Sequence, residues 1–556
     1  MCSLVGLGAR NLTPPRTTGI APNAFAPYTF LMNRSNTPLS ILLSILLLTG
    51  ATGAASAQGG VWGNLDQGRW TVGFHVLDTV DNTRTFAPRF DADGNSRGST
   101  PRPIRLCIWY PAAGARGGAM AARDYTRYIG MPGRTVSRVT VAEWERAERA
   151  LITRMTKHEF TDAEWERVMS LPTAAHYDEP AAEGRFPVIL TCAGPQRNPV
   201  FFEYLASHGY IVVSIPGVGR FTEQAIEFTP NPESIEMAVQ DLQFVYAWLH
   251  ERPRADLDRL GLWAFSSLSI YTTQFQLRNM AARAMLHVEG WEGFVRGREI
   301  LEETPFYDPA AIRVPYMLLK KEKEEALAQY ASDGTVFESF LYSPRYRVLV
   351  AGADHGDFNS MSVTRYATAE KQQLFENACR ISRAFFDTYL KSDEEAGKHL
   401  DELLQSGRAA SELRFEILPA AAPVPPTEAE VIAAFEGGRD AQRAAMDRIS
   451  EVLESDGTLP YHEHVLSRFG RRLLREGRAP DAAVVFRVIT RVFPTRSDPW
   501  DELADALEAA GDRDGAAAAA QKALELLPGD DSLSDEDRAR MRLSLQQKID
   551  RLSGGS

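Results

Sequence analysis

A serine on a predicted sharp turn is the first residue of this sequence whose setting could do chemistry. Ser266 lies in the segment AFSSL (264–268), between an apolar strand-like run, Arg259–Ala264, and a helical stretch, Ser269–Met280. A strand–turn–helix setting presents a serine hydroxyl for nucleophilic attack on a carbonyl carbon. The usual G-x-S-x-G pattern has lost both glycines here. Alanine is a mild change at the first position, whereas Leu268 is hard to fit where the strand and helix backbones approach closely. The motif alone is therefore weak.

A serine nucleophile needs a histidine to take its proton, and His355 has the required place in the chain. It follows the apolar run RVLVAG (347–352) directly, in the loop ADHGDF (353–358). Where this chemistry occurs on a parallel sheet, the serine, the acid and the histidine follow in that order, each just after a strand. The other histidines after Ser266 lie in a strand-like run or in helical stretches: His287, His399, His462 and His464. We therefore predict His355 as the general base.

Two groups of carboxylates could orient that histidine. Glu289 ends the apolar run Ala284–Glu289. Glu322 and Glu324 follow the next strand-like run, in a Lys- and Glu-rich segment that is typical of a solvated helix start. A carboxylate that closes an apolar strand is harder to explain structurally, so Glu289 is the favoured acid.

These residues depend on a sheet that brings the ends of several strands to one edge. From about residue 60 to residue 419, short β-rich runs alternate with helical patterns, and several runs are apolar throughout, as in parallel strands covered on both faces. The alternation predicts an α/β fold, a mostly parallel sheet with helices on both faces. The predicted strands are Ile104–Tyr110, Phe186–Ala193, Tyr210–Pro216, Arg259–Ala264, Ala284–Glu289, Val314–Lys320 and Tyr346–Ala351.

A helical insertion interrupts the alternation at about residues 123–180. It contains a helix-like stretch, Val141–Met155, and a short helix from Thr161 to Met169, where Thr161 and Glu164 have the spacing of a capping box. The insertion could cover the candidate site or pack on one edge of the sheet, and the sequence leaves both possibilities open.

A Pro- and Ala-rich linker, AAAPVPPT (420–427), separates residues 59–419 from a helical domain at 428–556. Pairs of like residues lie 34 positions apart, which is the tetratricopeptide period: Gly477 and Gly511, Pro494 and Pro528, Ala482 and Ala516, Leu473 and Leu507. We predict two such repeats, flanked by capping helices around Glu428–Glu454 and Glu536–Leu552. Their curved surface could bind a protein, a peptide or the α/β domain itself.

Residues 1–58 are predicted to be a leader with a secretory signal peptide. Met32 and Arg34 open a short basic segment, the apolar run Leu39–Leu48 follows, and the small residues ASA (55–57) form the cleavage box. The run is shorter than the ~20 apolar residues that a membrane anchor needs. Met32 is the expected start, and the mature chain would begin near Gln58, without a transmembrane anchor, as a periplasmic or secreted protein.

Composition excludes some partners and cofactors. The net charge of −12 argues against nucleic acid as a partner, because phosphate binding needs a basic surface. No Cys/His cluster has metal-ligand spacing, so neither a metal nor another cofactor is expected. Cys107 and Cys192 lie inside apolar runs, which predicts small buried thiols.

The sequence resembles the platelet-activating-factor acetylhydrolase and dienelactone-hydrolase-like branch of the α/β-hydrolases over about residues 60–386. The segments that carry the resemblance are VGF (72–74), RP (102–103), WYP (109–111), FPV (186–188), ASHGY (206–210) and EGW (289–291). VEGW (288–291) stands where the family has its acid, with glutamate in place of aspartate, and the loop around His355 matches the family's histidine motif. The resemblance implies an α/β-hydrolase fold and metal-free hydrolysis of carboxylic esters, with a small molecule or a lipid as substrate.

The family's oxyanion loop, His-Gly-Leu/Met-Gly, is replaced here by AGPQ (193–196). The backbone N–H of Ser267 is the expected first oxyanion donor. Pro195 has no N–H, so the second donor would be the backbone of Gly194 or Gln196, or the Gln196 side-chain amide. Loss of one donor costs on the order of 10²–10³ in rate. The sequence therefore predicts an exported serine esterase, with a peptidase on the same triad also open. The alternative is a catalytically weakened hydrolase-fold protein that acts as a binding or scaffold module.

Overall fold

The computed structural model describes residues 61–86, 98, 100–128, 145–146, 149–150, 153, 159–217, 230–305, 307–322, 335–360, 368–455, 459, 461 and 463–553. The predicted leader at residues 1–58, most of the predicted helix at Val141–Met155, and Glu324 lie outside these residues. Within them, no helix has both the length and the apolar character that a membrane span requires.

Eleven strands of the described chain form one sheet. They are β1 (Thr71–Phe86), β2 (Thr100–Ala112), β3 (Ala119–Ala121), β4 (Pro172–Tyr177), β5 (Phe186–Thr191), β6 (Ile211–Ser214), β7 (Ala255–Phe265), β8 (Ala284–Val288), β9 (Tyr316–Lys321), β10 (Arg345–Val350) and β11 (Leu413–Leu418). Their order across the sheet is β11-β10-β9-β8-β7-β5-β6-β2-β1-β4-β3. Strands β5 to β10 are parallel to their neighbours among themselves, whereas β2 is antiparallel to β6 and to β1, and β11 is antiparallel to β10.

Burial explains which strands the sequence predicts. Every residue of β5, β6 and β8 is buried, because helices cover both faces of the central sheet, and such strands appear in a sequence as apolar runs. The strands absent from the prediction are β1, β3, β4 and β11. Strands β1, β4 and β11 have exposed positions along their length, and β3 has only 3 residues.

Helices lie on both faces of the sheet, and each face has its own core. The helices are α1 (Asp162–Met169), α2 (Pro199–Ser207), α3 (Pro232–His250), α4 (Ser269–Asn279), α5 (Val295–Glu302), α6 (Val336–Ser339), α7 (Ala369–Leu390) and α8 (Glu394–Ala409). Phe202 of α2 and Phe386 of α7 belong to one core, and Leu242 of α3 and Phe275 of α4 belong to the other. A mostly parallel sheet between two helical layers is the architecture of the α/β-hydrolase fold, as the sequence predicts.

The described end of the predicted insertion belongs to the edge of the sheet. Helix α1 begins with the predicted capping box: Glu164 N donates to Thr161 Oγ1 at 3.2 Å, and Thr161 N donates to Glu164 Oε2 at 2.7 Å. Strand β4 then pairs in parallel with β1 and antiparallel with β3. This part of the insertion therefore extends the sheet beyond β1.

The described residues after β11 form helices, as predicted for the C-terminal domain. They are α9 (Glu428–Glu436), α10 (Arg439–Glu454), α11 (Glu463–Arg475), α12 (Ala479–Val492), α13 (Asp498–Ala509), α14 (Arg513–Leu526) and α15 (Asp535–Ser553). The prediction of one helix over Glu428–Glu454 is wrong, because the chain breaks into α9 and α10 at Gly437-Gly438. Gly438 has a φ of +101°, a left-handed conformation that suits glycine.

The 34-residue period corresponds to two successive helix pairs, α11–α12 and α13–α14. Gly477 and Gly511 occupy equivalent turns between the helices of each pair, with φ of +79° and +86°. Leu473 and Leu507 are both buried. The apolar side chains of these helices form a core separate from the two cores of the sheet. The repeat in the sequence is therefore also a repeat of backbone conformation and burial.

Candidate active site

Ser266 lies at the end of β7, on the turn that leads into α4. Its φ of +56° is a strained value for a residue other than glycine, and such strain in a strand–turn–helix setting is typical of a nucleophile elbow. Ala264 and Leu268 occupy the two positions where G-x-S-x-G has glycine. Leu268 has helical dihedral angles, with φ −65°, and its side chain packs against both cores of the sheet. The elbow therefore accommodates leucine, because this position needs no positive φ and the side chain has an apolar site.

The fold brings together His355 and Glu289, from the loops after β10 and β8. The two atoms His355 Nδ1 and Glu289 Oε2 are 2.8 Å apart. An ionised carboxylate only accepts hydrogen bonds, so this contact holds the imidazole proton on Nδ1 and leaves Nε2 as an acceptor. The Glu289 carboxylate is itself held in place, because its Oε1 accepts a 2.7 Å bond from the backbone N–H of Lys321. The backbone of Glu289 has a φ of +55°. The imidazole has the tautomer that a general base requires.

The turn that carries His355 is braced by α7. Asp354 N donates to Asp357 Oδ2 at 2.7 Å, and Lys371 Nζ of α7 donates to the same oxygen at 2.5 Å. Lys371 also donates to the carbonyl oxygen of Gly352 at 2.7 Å. These bonds hold both ends of the short turn against one helix, which limits the positions that the imidazole can take.

The ring of His355 lies against the ring of Phe265, the residue before Ser266, with 4.9 Å between the ring centroids. His355 and Ser266 therefore lie at the same edge of the sheet. Among the residues that the structure describes, Ser266 Oγ makes no hydrogen bond to His355. The bond between a nucleophile and its base is often long before substrate is bound and shortens in the complex.

Glu289 remains ionised at neutral pH although its side chain is only 1% exposed. Burial acts to raise its pKa, but the hydrogen bond from His355, the nearby Lys320 and the N–H of Lys321 lower the pKa below its ordinary value. Lys320 is also buried, and burial lowers its pKa to about 7, against the attraction of Glu289 and Glu292. Glu289 can therefore stabilise the imidazolium that forms when His355 takes a proton.

Glu322, an alternative acid in the sequence, is placed elsewhere. Its carboxylate Oε1 is 2.5 Å from Arg414 Nε on β11, and its N–H donates to the carbonyl oxygen of Val350. Of the carboxylates predicted and described, Glu289 is the one that contacts His355.

The loop at residues 193–196 forms a tight turn after β5. Arg197 N donates to Gly194 O at 3.0 Å, and Ala193 N donates to Thr191 Oγ1 at 3.2 Å. The N–H of Ala193 is thereby occupied, and Pro195 has no N–H to offer. The backbone N–H groups of the turn that could face an oxyanion are therefore those predicted, on Gly194 and Gln196.

The Gln196 side chain folds back over Gly194. A Cβ added to Gly194 would lie 2.6 Å from Gln196 Oε1 and 3.0 Å from Nε2, so only glycine leaves room for this amide. Gln196 is 5% exposed, and within the described part of the chain its Oε1 has no hydrogen-bond partner. The atom without a partner is an acceptor, so it could receive a bond from a donor on a ligand but cannot stabilise an oxyanion.

The sequence analysis does not identify a buried polar cluster next to Glu289 in the chain. His287, assigned only to a strand, and Glu292 are both fully buried, with 3.3 Å between His287 Nδ1 and Glu292 Oε2. Asn198, at the end of the oxyanion loop, accepts a 3.1 Å bond from Ser360 N and so links this loop to the segment that follows His355. A glutamate three residues after the acid, between two glycines, is the signal in the sequence that could have indicated Glu292.

No group of three or more His, Cys, Asp or Glu side chains within the described ranges could hold a metal ion. The cysteines there are buried free thiols, as predicted for the first two: Cys107, Cys192 and Cys379. Burial raises the pKa of each of these thiols, which makes them poor nucleophiles.

No protein-family model matches this sequence, and neither does any curated protein. The solved structure of a ferulic acid esterase from Streptomyces cinnamoneus is similar to this chain at 16% sequence identity and a TM-score of 0.38, over 58% of this chain and 92% of that chain. The strand order and the two helical layers, independently of this likeness, identify the sheet domain as an α/β-hydrolase fold.

Proposed function

We propose that this chain is a serine hydrolase that cleaves carboxylic esters, with Ser266 as nucleophile, His355 as general base and Glu289 as the acid. One observation carries the proposal: a half-exposed histidine donates a 2.8 Å bond to a buried carboxylate, and its ring packs against Phe265, the residue before a serine with positive φ. A solvated loop histidine needs no such carboxylate. Its place at the carboxyl edge of a parallel sheet is where α/β folds bind ligands.

In the proposed reaction, His355 Nε2 takes the proton of Ser266 as Oγ attacks the carbonyl carbon of the ester. The N–H of Ser267 and a donor from the turn at Gly194 and Gln196 would bind the oxyanion. Collapse of this intermediate expels the alcohol, which takes the proton from His355 and leaves an acyl-serine. Water then attacks the acyl-serine by the same route and releases the carboxylic acid. No cofactor enters these steps.

The sequence motifs support the acetylhydrolase and dienelactone-hydrolase-like branch, and a small-molecule or lipid ester as substrate. The competing proposal is a weakened hydrolase fold that acts as a scaffold. It is favoured by Pro195, which offers no N–H donor in the loop that is expected to bind the oxyanion. A fluorophosphonate probe on the mature protein separates the two. Labelling that disappears in Ser266→Ala supports the esterase. A well-folded protein that stays unlabelled supports the scaffold.

We also propose export to the periplasm or the medium, on the basis of the signal-like segment after Met32. The mature protein isolated from the producing cells is expected to begin near Gln58, because the ASA segment ends at residue 57. N-terminal sequencing of that protein checks this. A mature chain that keeps the apolar run Leu39–Leu48 would contradict it.

We propose that α11–α14 form two tetratricopeptide-like repeats that bind a protein or peptide and are not part of the hydrolase core. Deletion from Thr427 onward is expected to leave a soluble protein with unchanged esterase activity, because the repeat domain has its own core and β11 stays on the sheet. The deletion removes the ion pair between Arg313 and Glu430, which is 3.0 Å long and partly exposed, and such pairs contribute ~0–1 kcal/mol. Insoluble protein after this truncation would contradict the proposal.

A further inference from the structure

Helix α4, which follows Ser266, is buried and yet has a polar face. The side chains of Ser269, Thr272 and Thr273 are completely buried within the sheet domain. Hydroxyl groups are removed from water at a cost unless they find hydrogen-bond partners inside the protein. The hydrogen-bond partners of these three hydroxyls therefore show which segment the helix is bonded to.

All three hydroxyls contact the segment that carries Glu289. Ser269 Oγ accepts a 2.9 Å bond from Trp291 N. Thr272 Oγ1 is 3.0 Å from His287 Nε2. Thr273 Oγ1 donates a 2.7 Å bond to Glu292 Oε1. The partners lie two or three residues from Glu289, so buried hydrogen bonds join the nucleophile's helix to the acid's turn.

Glu292 is the centre of this contact. Its carboxylate is fully buried, with Oε1 on Thr273 and Oε2 3.3 Å from His287 Nδ1. Burial acts to raise its pKa, but the nearby His287 and the hydroxyl of Thr273 lower the pKa below its ordinary value. On β9, the Lys320 amino group lies 3.2 Å from the ring centre of Phe294 and close to Gly293 of the same turn.

The backbone around Glu292 is shaped to admit these groups. A Cβ on Gly290 would lie 2.7 Å from Glu292 Oε2, and a Cβ on Gly293 would lie 3.0 Å from Lys320 Nζ. Directly before Gly290, the turn places Glu289 at φ +55°, a conformation that persists only where the surroundings enforce it. The bonds from α4 to Trp291 and Glu292 hold this turn, together with the bond from Lys321 N to Glu289 Oε1.

We infer that Glu292 is a positioning residue, which fixes the acid's turn against the helix of the nucleophile and so sets the place of Glu289 and His355 relative to Ser266. The inference rests on the proposed esterase function. Its chemical reason is that a displacement of about 1 Å at a catalytic group can cost ~10²-fold in rate, although substrate still binds.

Two variants test this inference in the full-length mature protein, with p-nitrophenyl acetate as substrate and a fluorophosphonate as probe. Glu292→Gln removes the charge that faces His287, and Thr273→Val removes only the hydroxyl that holds Glu292. We expect kcat to fall roughly 10- to 100-fold in both variants, with KM nearly unchanged, because the substrate contacts remain and only the geometry of the triad changes. The rate of fluorophosphonate labelling of Ser266 should fall by a similar factor.

Thr173→Val is the matched control. Thr173 of β4 is also buried, and its hydroxyl donates a 3.1 Å bond to Met120 O near the opposite edge of the sheet. A merely structural role predicts that Thr273→Val and Thr173→Val lower the melting temperature alike and leave kcat alone, and that result would overturn the inference. Wild-type protein that resists the probe would overturn the esterase proposal, and the positioning role with it.

If Glu292→Gln does not fold, Thr273→Val still decides the matter. A folded Thr273→Val protein with wild-type kcat and labelling rate refutes the positioning role. A selective loss of kcat in Thr273→Val that is absent from Thr173→Val supports it.

Discussion

Replacing Ser266 with alanine is expected to lower the turnover of p-nitrophenyl acetate by about 10⁶-fold, the loss typical when the nucleophile of a serine triad is removed. The change deletes the atom that would form the acyl-enzyme in the proposed reaction, and Ser267, the next residue, is buried at 4% exposure. The fold should survive, because alanine is smaller and Ser266 Oγ makes no hydrogen bond to His355 in the described structure. Steady-state kinetics and fluorophosphonate labelling both measure the effect.

Ser406→Ala serves as the control, since Ser406 is an exposed serine on α8, far along the chain from the triad. It should keep wild-type turnover and labelling. Undiminished turnover in Ser266→Ala would remove the serine mechanism from consideration.

Replacing Glu289 with glutamine is expected to reduce kcat by about 10⁴-fold, as in other triads that lose the acid's charge. The glutamine amide can donate to His355 Nδ1, which would move the imidazole proton to Nε2, where it blocks attack by Ser266. The variant also loses the charge that stabilises the imidazolium. The measurement is single-turnover kinetics, which separates the chemical step from binding.

Glu322→Gln is the matched control, because it makes the same chemical change one strand further along the sheet. Its carboxylate pairs with Arg414 and not with His355. Wild-type activity in Glu322→Gln and a large loss in Glu289→Gln is the expected pair of results. The reverse pair, or a loss only in Glu324→Gln, would assign the acid to the following strand.

Local patterns carry much of the fold. The seven predicted strands correspond to β2 and β5–β10. Burial on both faces leaves a nearly unbroken apolar run in the central strands β5, β6 and β8. The capping box of α1 is predictable for a similar reason, because its two partners are three residues apart. Strand β1 escapes prediction although it has 16 residues, because its outer half is partly solvated and carries charged side chains.

The sequence by itself determined the α/β class, the order serine–acid–histidine, and the 34-residue repeat of the helical domain. The class and the repeat follow from residue types at short or regular spacing, and the order follows from which residues come directly after the apolar runs. Only the tertiary structure decided that Glu289 meets His355 while Glu322 meets Arg414, and that Leu268 fits the elbow where glycine is usual. It also decided that Glu292 is buried against α4. These outcomes depend on distances between segments that are remote or only loosely constrained along the chain, and such distances are set by how the strands and helices pack.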